Sequence, residues 1–156
     1  YGKIINSRSP TLEFKYKHGH LSWKVLQKLN FIIDLKSPNW EKAFLSSLNH
    51  KSINSKNYFA LSQTKPTSIV SYTRSYYEST DRKVRITLDR DITFRDQSIY
   101  PTPNLYFAKH NTENLVFEIK IAEKDITLLD ELFKTFDFIP QRYSKYCESL
   151  RNHMPK

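Results

Sequence analysis

The segment RKVRITLD (residues 82–89) alternates apolar and polar residues along its length. Val84, Ile86 and Leu88 are separated from one another by single polar residues, which is the two-residue period of a strand with one buried face. The same period, with charged residues at the polar positions, recurs in at least three other segments. The pattern therefore predicts a protein built mainly from strands.

Two hairpins are predicted from this period. The first joins a strand over residues 11–17 to a partner over residues 21–27, with Gly19 in the turn. The second joins residues 68–77 to residues 82–89 through a short polar turn. Further strands are predicted at residues 92–95, 104–110 and 114–122.

A helical period marks two other regions. A helix is predicted over residues 38–49, with Ser37 as its N-cap and Pro38 at its first position. A second helix is predicted over residues 126–136, which carry an apolar stripe. Residues 49–57 are predicted to form a loop, and residues 142–147 either a short strand or the start of a helix. The expected class is α+β, as one antiparallel, strand-rich domain over residues 1–156 with a few helices.

The net charge of the chain indicates which classes of binding partner to expect. A net charge of +9, from 25 Lys and Arg against 16 Asp and Glu, favours a polyanion such as a phosphate chain, a nucleotide, nucleic acid or an anionic membrane. With two glycines in the chain, a glycine-rich phosphate loop is excluded. Any bound phosphates would therefore be held mainly by Lys and Arg side chains.

Other site types find little support in the composition. No paired spacing of Cys and His indicates structural zinc, and no apolar run of about 18 residues indicates a membrane-spanning helix. The single cysteine excludes an internal disulfide framework and suits a reducing compartment. A cytoplasmic location is therefore expected.

The polar positions of the predicted strands carry a recurring set of side chains, and residues two apart in a strand share a face. In one interpretation these residues form the solvated outer faces of antiparallel sheets. In the other, the strands close into a barrel and the same residues line a polar lumen. The set comprises Glu13, Lys15, Lys17, Lys24, Tyr72, Arg74, Lys83, Arg85, Asp89, Glu118 and Lys120, with Ser144 and Lys145 near the end of the chain.

Two details favour the polar lumen. The opposite strand faces are apolar, so that external helices could cover them, and the spaced pair Glu-x-Lys occurs in both LEFK and FEIK. Such a lumen suits a triphosphate or a longer phosphate chain, because Lys and Arg neutralise phosphate oxygens. A carboxylate among them can hold Mg²⁺ or Mn²⁺, which bridges phosphates.

The order and combination of these segments resemble the VTC domain, which is the polyphosphate polymerase domain of the vacuolar transporter chaperone proteins and their bacterial relatives. The matching pieces are LEFKYKHG with SWK, then SYTR and KVRITLDRDITFR, then LVFEIKI and finally YSKYC. The resemblance covers nearly the whole chain, and residues 50–64 are its least diagnostic part. The family belongs to the triphosphate tunnel metalloenzyme superfamily.

The resemblance implies an antiparallel β-barrel tunnel with a polar lumen and a few external helices. In this tunnel the terminal phosphoryl group of ATP is added to a polyphosphate chain, with Mn²⁺ or Mg²⁺ as cofactor, so that ATP and inorganic polyphosphate or pyrophosphate are the expected partners. Glu118 is expected to hold the metal. The phosphate-binding residues carried over by motif are Lys15, Lys17, Lys24, Tyr72, Arg74, Arg85, Lys120, Ser144 and Lys145, of which Lys15, Arg74, Arg85 and Lys145 are the expected catalytic residues.

Several points are left open at this level. Asp89 and Glu13 are supporting candidates, and Asp89 could instead end its strand with a turn-type hydrogen bond. Water as the acceptor would make the protein a triphosphatase of tripolyphosphate or nucleoside triphosphate, and loss of turnover would make it a polyphosphate- or nucleotide-binding accessory domain. Nucleic-acid binding rests on charge alone and is not expected.

In the family, earlier strands carry an Arg-x-Arg or Lys-x-Arg motif, and we expect those N-terminal strands to be missing from this chain.

Overall fold

In the computed structural model the chain divides into two compact units. The first comprises Tyr1–Thr67 with Gln97–Leu105, and the second comprises Ser68–Asp96 with Tyr106–Lys156. The residues that the structure describes are 6–7, 10–19, 21–29, 33–36, 39–40, 55–107, 109–111, 113–135 and 139–153.

The first unit is organised around the predicted hairpin. Strand β2 (Thr11–His18) pairs with strand β3 (Leu21–Lys28) in antiparallel register. The short strand β1 (Asn6–Ser7) pairs with β4 (Ile33–Asp34), and helix α1 spans Ser55–Ser62. The hairpin prediction is confirmed, whereas the predicted loop over residues 49–57 is wrong for its last three residues, which belong to α1.

The turn of this hairpin and its faces follow from local sequence. Gly19 has a φ of 57°, a left-handed conformation that glycine adopts without steric cost. Lys15 lies directly opposite Lys24, and Tyr16 lies opposite Trp23. Because opposed residues share a face, the hairpin has one charged face and one aromatic face.

The second unit is built on a four-stranded antiparallel sheet with a long central strand. Strand β6 (Val84–Asp96) pairs with β5 (Ser68–Glu78) on one side. On its other side β6 pairs with both β7 (Lys109–Asn111) and β8 (Val116–Ile121). The predicted hairpin of residues 68–77 and 82–89 and the predicted strand over residues 114–122 are confirmed.

A bulge lets β6 continue further than its sequence pattern suggests. Residues 92–95, predicted as a separate strand, are the last part of β6. Ser71 pairs with Thr93 and Thr73 with Arg90, so two residues of β6 lie opposite one residue of β5. Asp91 takes up the extra length with a φ of 55°. Among the described residues of the predicted strand over residues 104–110, Lys109 and His110 are extended, as part of β7.

Two helices follow the strands of the second unit. Helix α2 spans Thr127–Thr135, close to the predicted bounds of 126–136. Helix α3 spans Lys145–His153, so the helical alternative for residues 142–147 is the right one. The helix predicted over residues 38–49 lies outside the described residues, apart from its start.

In the second unit, helix α3 packs against β5 and β6. Ile92 and Phe94 of β6 and Ser149 of α3 are fully buried. The predicted α+β class with antiparallel strands is therefore confirmed. Within the described ranges the strands form separate antiparallel sheets, without a pairing that closes them into a barrel. No described helix has both the length and the apolar character needed to cross a membrane.

Candidate functional site

One face of the sheet in the second unit gathers many of the predicted site residues. Alternate residues of the central strand β6 point to one face, and the residues directly opposite them on β5 and β8 share that face. We call this surface the polar face; its polar residues on the paired strands include Arg74, Tyr76, Glu78, Arg85, Thr87, Asp89, Glu118 and Lys120.

Asp89 is the most deeply buried charged residue of the polar face, with 1% of its side chain exposed. The Arg74 guanidinium donates from Nε to Oδ1 at 2.5 Å and from Nη2 to Oδ2 at 2.7 Å. The Lys145 ammonium lies 2.5 Å from the same Oδ2. One carboxylate thus binds two cations, and we call these three residues the Asp89 cluster.

Lys145 reaches this cluster because it is the first residue of α3. The helix begins there because Ser144 acts as its N-cap: the Ser144 Oγ accepts a hydrogen bond from the Cys147 N–H at 3.3 Å, which satisfies one of the free amides of the first turn. The capping contact uses the Ser144 oxygen as an acceptor, so the hydroxyl proton can still be donated to a ligand. The predicted phosphate contact of Ser144 is therefore compatible with its structural role.

Two tyrosine rings flank the cations of the Asp89 cluster. The Arg74 Cζ lies 5.0 Å from the centre of the Tyr72 ring, and the Lys145 Nζ lies 4.8 Å from the same ring. The Tyr76 ring centre is 5.8 Å from the Arg74 Cζ. These distances are within the range of cation–π attraction, so the rings help to fix where the two cations lie.

The protonation states of the cluster follow from these contacts. The pKa of Asp89 is lowered, chiefly by its hydrogen bonds to Arg74 and further by Lys145, although burial acts in the opposite direction. The pKa of Arg74 is raised, with the hydrogen bond to Asp89 as the main cause. At neutral pH Asp89 is therefore an ionised carboxylate and Arg74 a guanidinium cation.

This charge state predicts an acid-sensitive contribution to stability. A carboxyl whose folded pKa is lowered stabilises the fold above its unfolded pKa of about 3.9, and this contribution is lost as the pH falls through the folded pKa. We therefore expect the free energy of unfolding to decrease as the pH falls below about 5, and to decrease less in Asp89→Asn. Urea unfolding at a series of pH values measures this.

The control for the acid experiment is Asp81→Asn. Asp81 also has a lowered pKa, mainly because of its hydrogen bond with Ser79, but it lies in an exposed turn. Asp81→Asn should keep most of the acid dependence of the unmodified protein. Equal acid dependence in Asp89→Asn and the unmodified protein would contradict the assignment.

A second group of charges lies further along the polar face. The Lys120 Nζ is 3.2 Å from the Glu118 Oε1, and the Thr87 hydroxyl donates to the Glu118 Oε2 at 3.5 Å. Arg85 lies directly opposite Lys120 on the neighbouring strand and is exposed. Glu118 is therefore a half-buried carboxylate beside exposed cations.

The carboxylates of the polar face differ in how well they suit a metal ion. Both oxygens of Asp89 already accept bonds from cations, so Asp89 is a poor ligand. Glu118 is more accessible, and in the described ranges no group of three or more His, Cys, Asp or Glu residues comes together as a complete metal site. Mg²⁺ is usually bound by one or two carboxylates together with substrate phosphates. Glu118 fits such a site, in which phosphates supply further ligands.

The first unit carries the remaining predicted cations on the charged face of its hairpin. Glu13 lies 3.4 Å from the Lys15 Nζ and 3.7 Å from the Lys24 Nζ. Lys17 is two residues beyond Lys15 and lies opposite Ser22. Both lysines of the Glu13 pairs are largely exposed, so their charges are available to a ligand.

The aromatic face of the same hairpin borders an open cavity of about 440 Å³. The Tyr16 and Trp23 rings stack there at a centroid distance of 5.5 Å. The lining residues are Tyr16, Trp23, Val25, Ser55, Lys56 and Asn57. None of these residues belongs to the predicted phosphate-binding set.

The structure groups the predicted residues in two ways. Tyr72, Arg74 and Lys145 lie around Asp89, while Arg85, Glu118 and Lys120 lie on the same polar face as Arg74 and Asp89; Lys15, Lys17 and Lys24 lie on the hairpin of the other unit. The alternative that Asp89 ends its strand is wrong, because β6 continues to Asp96. Tyr76 was not among the predicted phosphate-binding residues, although its position two residues after Arg74 on the same strand was a usable signal.

Comparison with known proteins identifies a family. The family model for the VTC domain matches residues 1–153, which is nearly all of the 156 residues of the chain. No significant match was found among curated proteins or among solved structures.

Proposed function

Because the chain belongs to the VTC domain family, we propose that it is a polyphosphate polymerase-type phosphotransferase. It would move the terminal phosphoryl group of ATP onto a polyphosphate chain, with Mn²⁺ or Mg²⁺ as cofactor. The observation that carries this proposal is the polar face, where the Asp89 cluster lies on the same side of the sheet as Arg85, Glu118 and Lys120. The closed tunnel of antiparallel strands with a polar lumen is part of the proposal, with the polar face as a lining surface.

The chemistry that this face supports is binding and neutralisation of phosphate oxygens. Arg74 uses Nε and one Nη2 proton on Asp89, so its Nη1 protons are directed away from that carboxylate. Guanidinium and ammonium groups make strong, charge-assisted hydrogen bonds to phosphate. Because charge on the transferred phosphoryl group is spread over its equatorial oxygens, cations placed beside it lower the barrier.

The transfer itself needs no covalent protein intermediate. An anionic oxygen at the end of the polyphosphate acceptor attacks the γ-phosphorus of ATP and forms the new O–P bond. The bond from the γ-phosphorus to the β–γ bridging oxygen breaks, and ADP leaves with that electron pair. Because the acceptor oxygen is already deprotonated, the protein has to position and neutralise charge rather than remove a proton.

In this proposal the metal ion would be held by Glu118. Glu118 would hold Mn²⁺ or Mg²⁺ together with phosphate oxygens, and the bound ion would neutralise charge on the triphosphate. The neighbouring Lys120 and Arg85 would bind the phosphate chain beside it. On the other unit, Lys15, Lys17 and Lys24 stay candidates for phosphate binding because they are exposed.

Product analysis tests the proposal directly. The purified protein is incubated with ATP and Mn²⁺ or Mg²⁺, and the products are separated by gel electrophoresis for polyphosphate and by anion-exchange chromatography for nucleotides. We expect polyphosphate of increasing length, with one ADP formed for each phosphate added. A folded protein that forms no polyphosphate under these conditions overturns the proposal.

The same experiment separates the alternative functions. If the protein releases orthophosphate from tripolyphosphate or ATP and forms no chain, water is the acceptor and the protein is a triphosphatase. If it binds tripolyphosphate but turns nothing over, it is an accessory binding domain. The presence of Glu118 on the polar face favours turnover over mere binding, since binding of a phosphate chain alone needs no carboxylate.

A further inference from the structure

Asp89 carries a negative charge on a surface that is proposed to bind phosphate, which is itself an anion. A buried carboxylate repels a phosphate group, yet this one lies between the two cations expected to bind it. The contacts suggest an answer in terms of orientation. Asp89 binds one edge of the guanidinium through Nε and Nη2, which fixes both the plane of the guanidinium and the direction of its other edge.

The same carboxylate also fixes the second cation. Its Oδ2 accepts bonds from both the Arg74 Nη2 and the Lys145 Nζ. Two cations on one oxygen lie close enough for a single phosphoryl group to contact both. Without a shared anion, an arginine and a lysine on different elements would repel each other, and each has many alternative rotamers.

We propose that Asp89 is a positioning residue, which holds Arg74 and Lys145 side by side so that both contact the same phosphoryl group. The proposal rests on the phosphate-binding function proposed above and names a residue that acts through two others. Asp89 does not touch the phosphate. It also ties the start of α3 to the sheet, because Lys145 is the first residue of that helix.

The two explanations, positioning of the cations and simple charge balance, predict opposite changes in the affinity for an anion when Asp89 loses its charge. If Asp89 merely offsets the positive charge of its neighbours, its removal leaves a more positive surface, and an anion should bind more tightly. If Asp89 positions the cations, its removal releases them, and the anion should bind more weakly although the protein has gained positive charge. The sign of the change therefore decides between the two.

The experiment measures binding of inorganic tripolyphosphate by titration calorimetry at constant ionic strength. We expect Asp89→Asn to bind it about tenfold more weakly, the size of one lost hydrogen bond to a charged group. Asp81→Asn is the matched control, because it removes the same charge from an exposed turn of the same unit. Its affinity should stay within about twofold of the unmodified protein.

A second variant and an NMR signal distinguish the loss of cation positioning from misfolding of the variant. Asp89→Glu keeps the charge but moves the carboxylate outward by one methylene, and we expect it to weaken binding as well. The NMR signal of the Arg74 Nε–H reports the guanidinium directly: it should be protected from exchange in the unmodified protein and exposed in Asp89→Asn, while backbone signals of β5 and β8 persist.

The possible outcomes separate the two proposals. Unchanged or tighter binding by Asp89→Asn overturns the positioning role while the phosphate-binding function stands. Failure of the unmodified protein to bind tripolyphosphate overturns the function, and the positioning role falls with it. If Asp89→Asn proves unfolded, Asp89→Glu decides: binding equal to that of the unmodified protein overturns the proposal.

Discussion

Replacing Arg74 with alanine is expected to reduce polyphosphate synthesis from ATP by about 10³-fold or more, the loss seen when an arginine that stabilises a transferred phosphoryl group is removed. Arg74 is expected to have this effect because it is the best-fixed cation on the polar face. It makes two hydrogen bonds to Asp89 and lies within cation–π distance of two tyrosine rings. A cation that is already in place loses little entropy when the phosphoryl group arrives.

The Arg74→Lys variant separates the effect of side-chain geometry on the rate from the effect of side-chain charge. Lysine keeps the positive charge but lacks the planar fork that binds a carboxylate at two points and stacks on rings. We therefore expect Arg74→Lys to recover only part of the rate. Full activity in Arg74→Lys would show that charge alone is needed at this position, and would contradict the role assigned to the fork.

Arg90→Ala is the matched control for Arg74→Ala. Arg90 belongs to the same sheet and has the same charge, but it lies opposite Thr73 on the other face of β6 and is exposed. Its replacement should change the rate by no more than about twofold, since exposed charges are strongly screened. Initial rates of ADP formation with polyphosphate as acceptor measure all three variants. A normal rate in Arg74→Ala would remove the polar face from the proposed mechanism.

Arg74→Ala also has a cost in stability that has to be separated from its effect on rate. The variant leaves the buried Asp89 with Lys145 alone, and loss of hydrogen bonds to a buried charge costs about 1–3 kcal/mol. Rates should therefore be measured well below the temperature at which the variant unfolds. A thermal unfolding curve for each variant supplies that limit.

The faces of the strands were predictable because they depend on a local rule. The two-residue period of β5, β6 and β8 determines which side chains point the same way, so Arg74, Arg85 and Glu118 could be placed on equivalent positions before pairing was known. The structure shows that the pairing register brings these positions together on one face. Their chemical roles stay predictions.

The contacts of Asp89 were not predictable in the same way. They depend on the register between β5 and β6 and on Lys145, which comes 56 positions later in the chain. A hydrogen-bonding side chain at the end of an alternating segment resembles the end of a strand. What extends β6 past Asp89 is the bulge at Asp91, and a non-glycine residue in a left-handed conformation has only a weak sequence signal.

The hairpin and the last helix also differ in how far local sequence predicts them. The turn at Gly19 was predictable because glycine favours the conformation found there. The helical start at Lys145 was not, because RYSKYC has no clear period of its own. The helix is stabilised by its packing on β5 and β6, which is a tertiary contribution that local propensity does not contain.

Glu118→Gln is the second substitution with a large expected effect, and it should separate turnover from binding. We expect the rate of polyphosphate synthesis to fall by about 10²-fold or more, since a metal-bound charge contributes several kcal/mol to such a transfer. Tripolyphosphate binding without metal should be unchanged or slightly tighter, because the variant removes a negative charge beside Lys120. Raising the Mn²⁺ concentration should recover part of the lost rate.

The matched control for this prediction is Glu78→Gln. Glu78 lies on the same polar face, opposite Arg85, and the substitution has the same shape and the same change of charge. It should leave both the rate and its dependence on Mn²⁺ within about twofold of the unmodified protein. If Glu118→Gln and Glu78→Gln behave alike, the carboxylate at Glu118 has no special part in holding the metal. Because the two variants change the net charge equally, any difference between them reports on position alone.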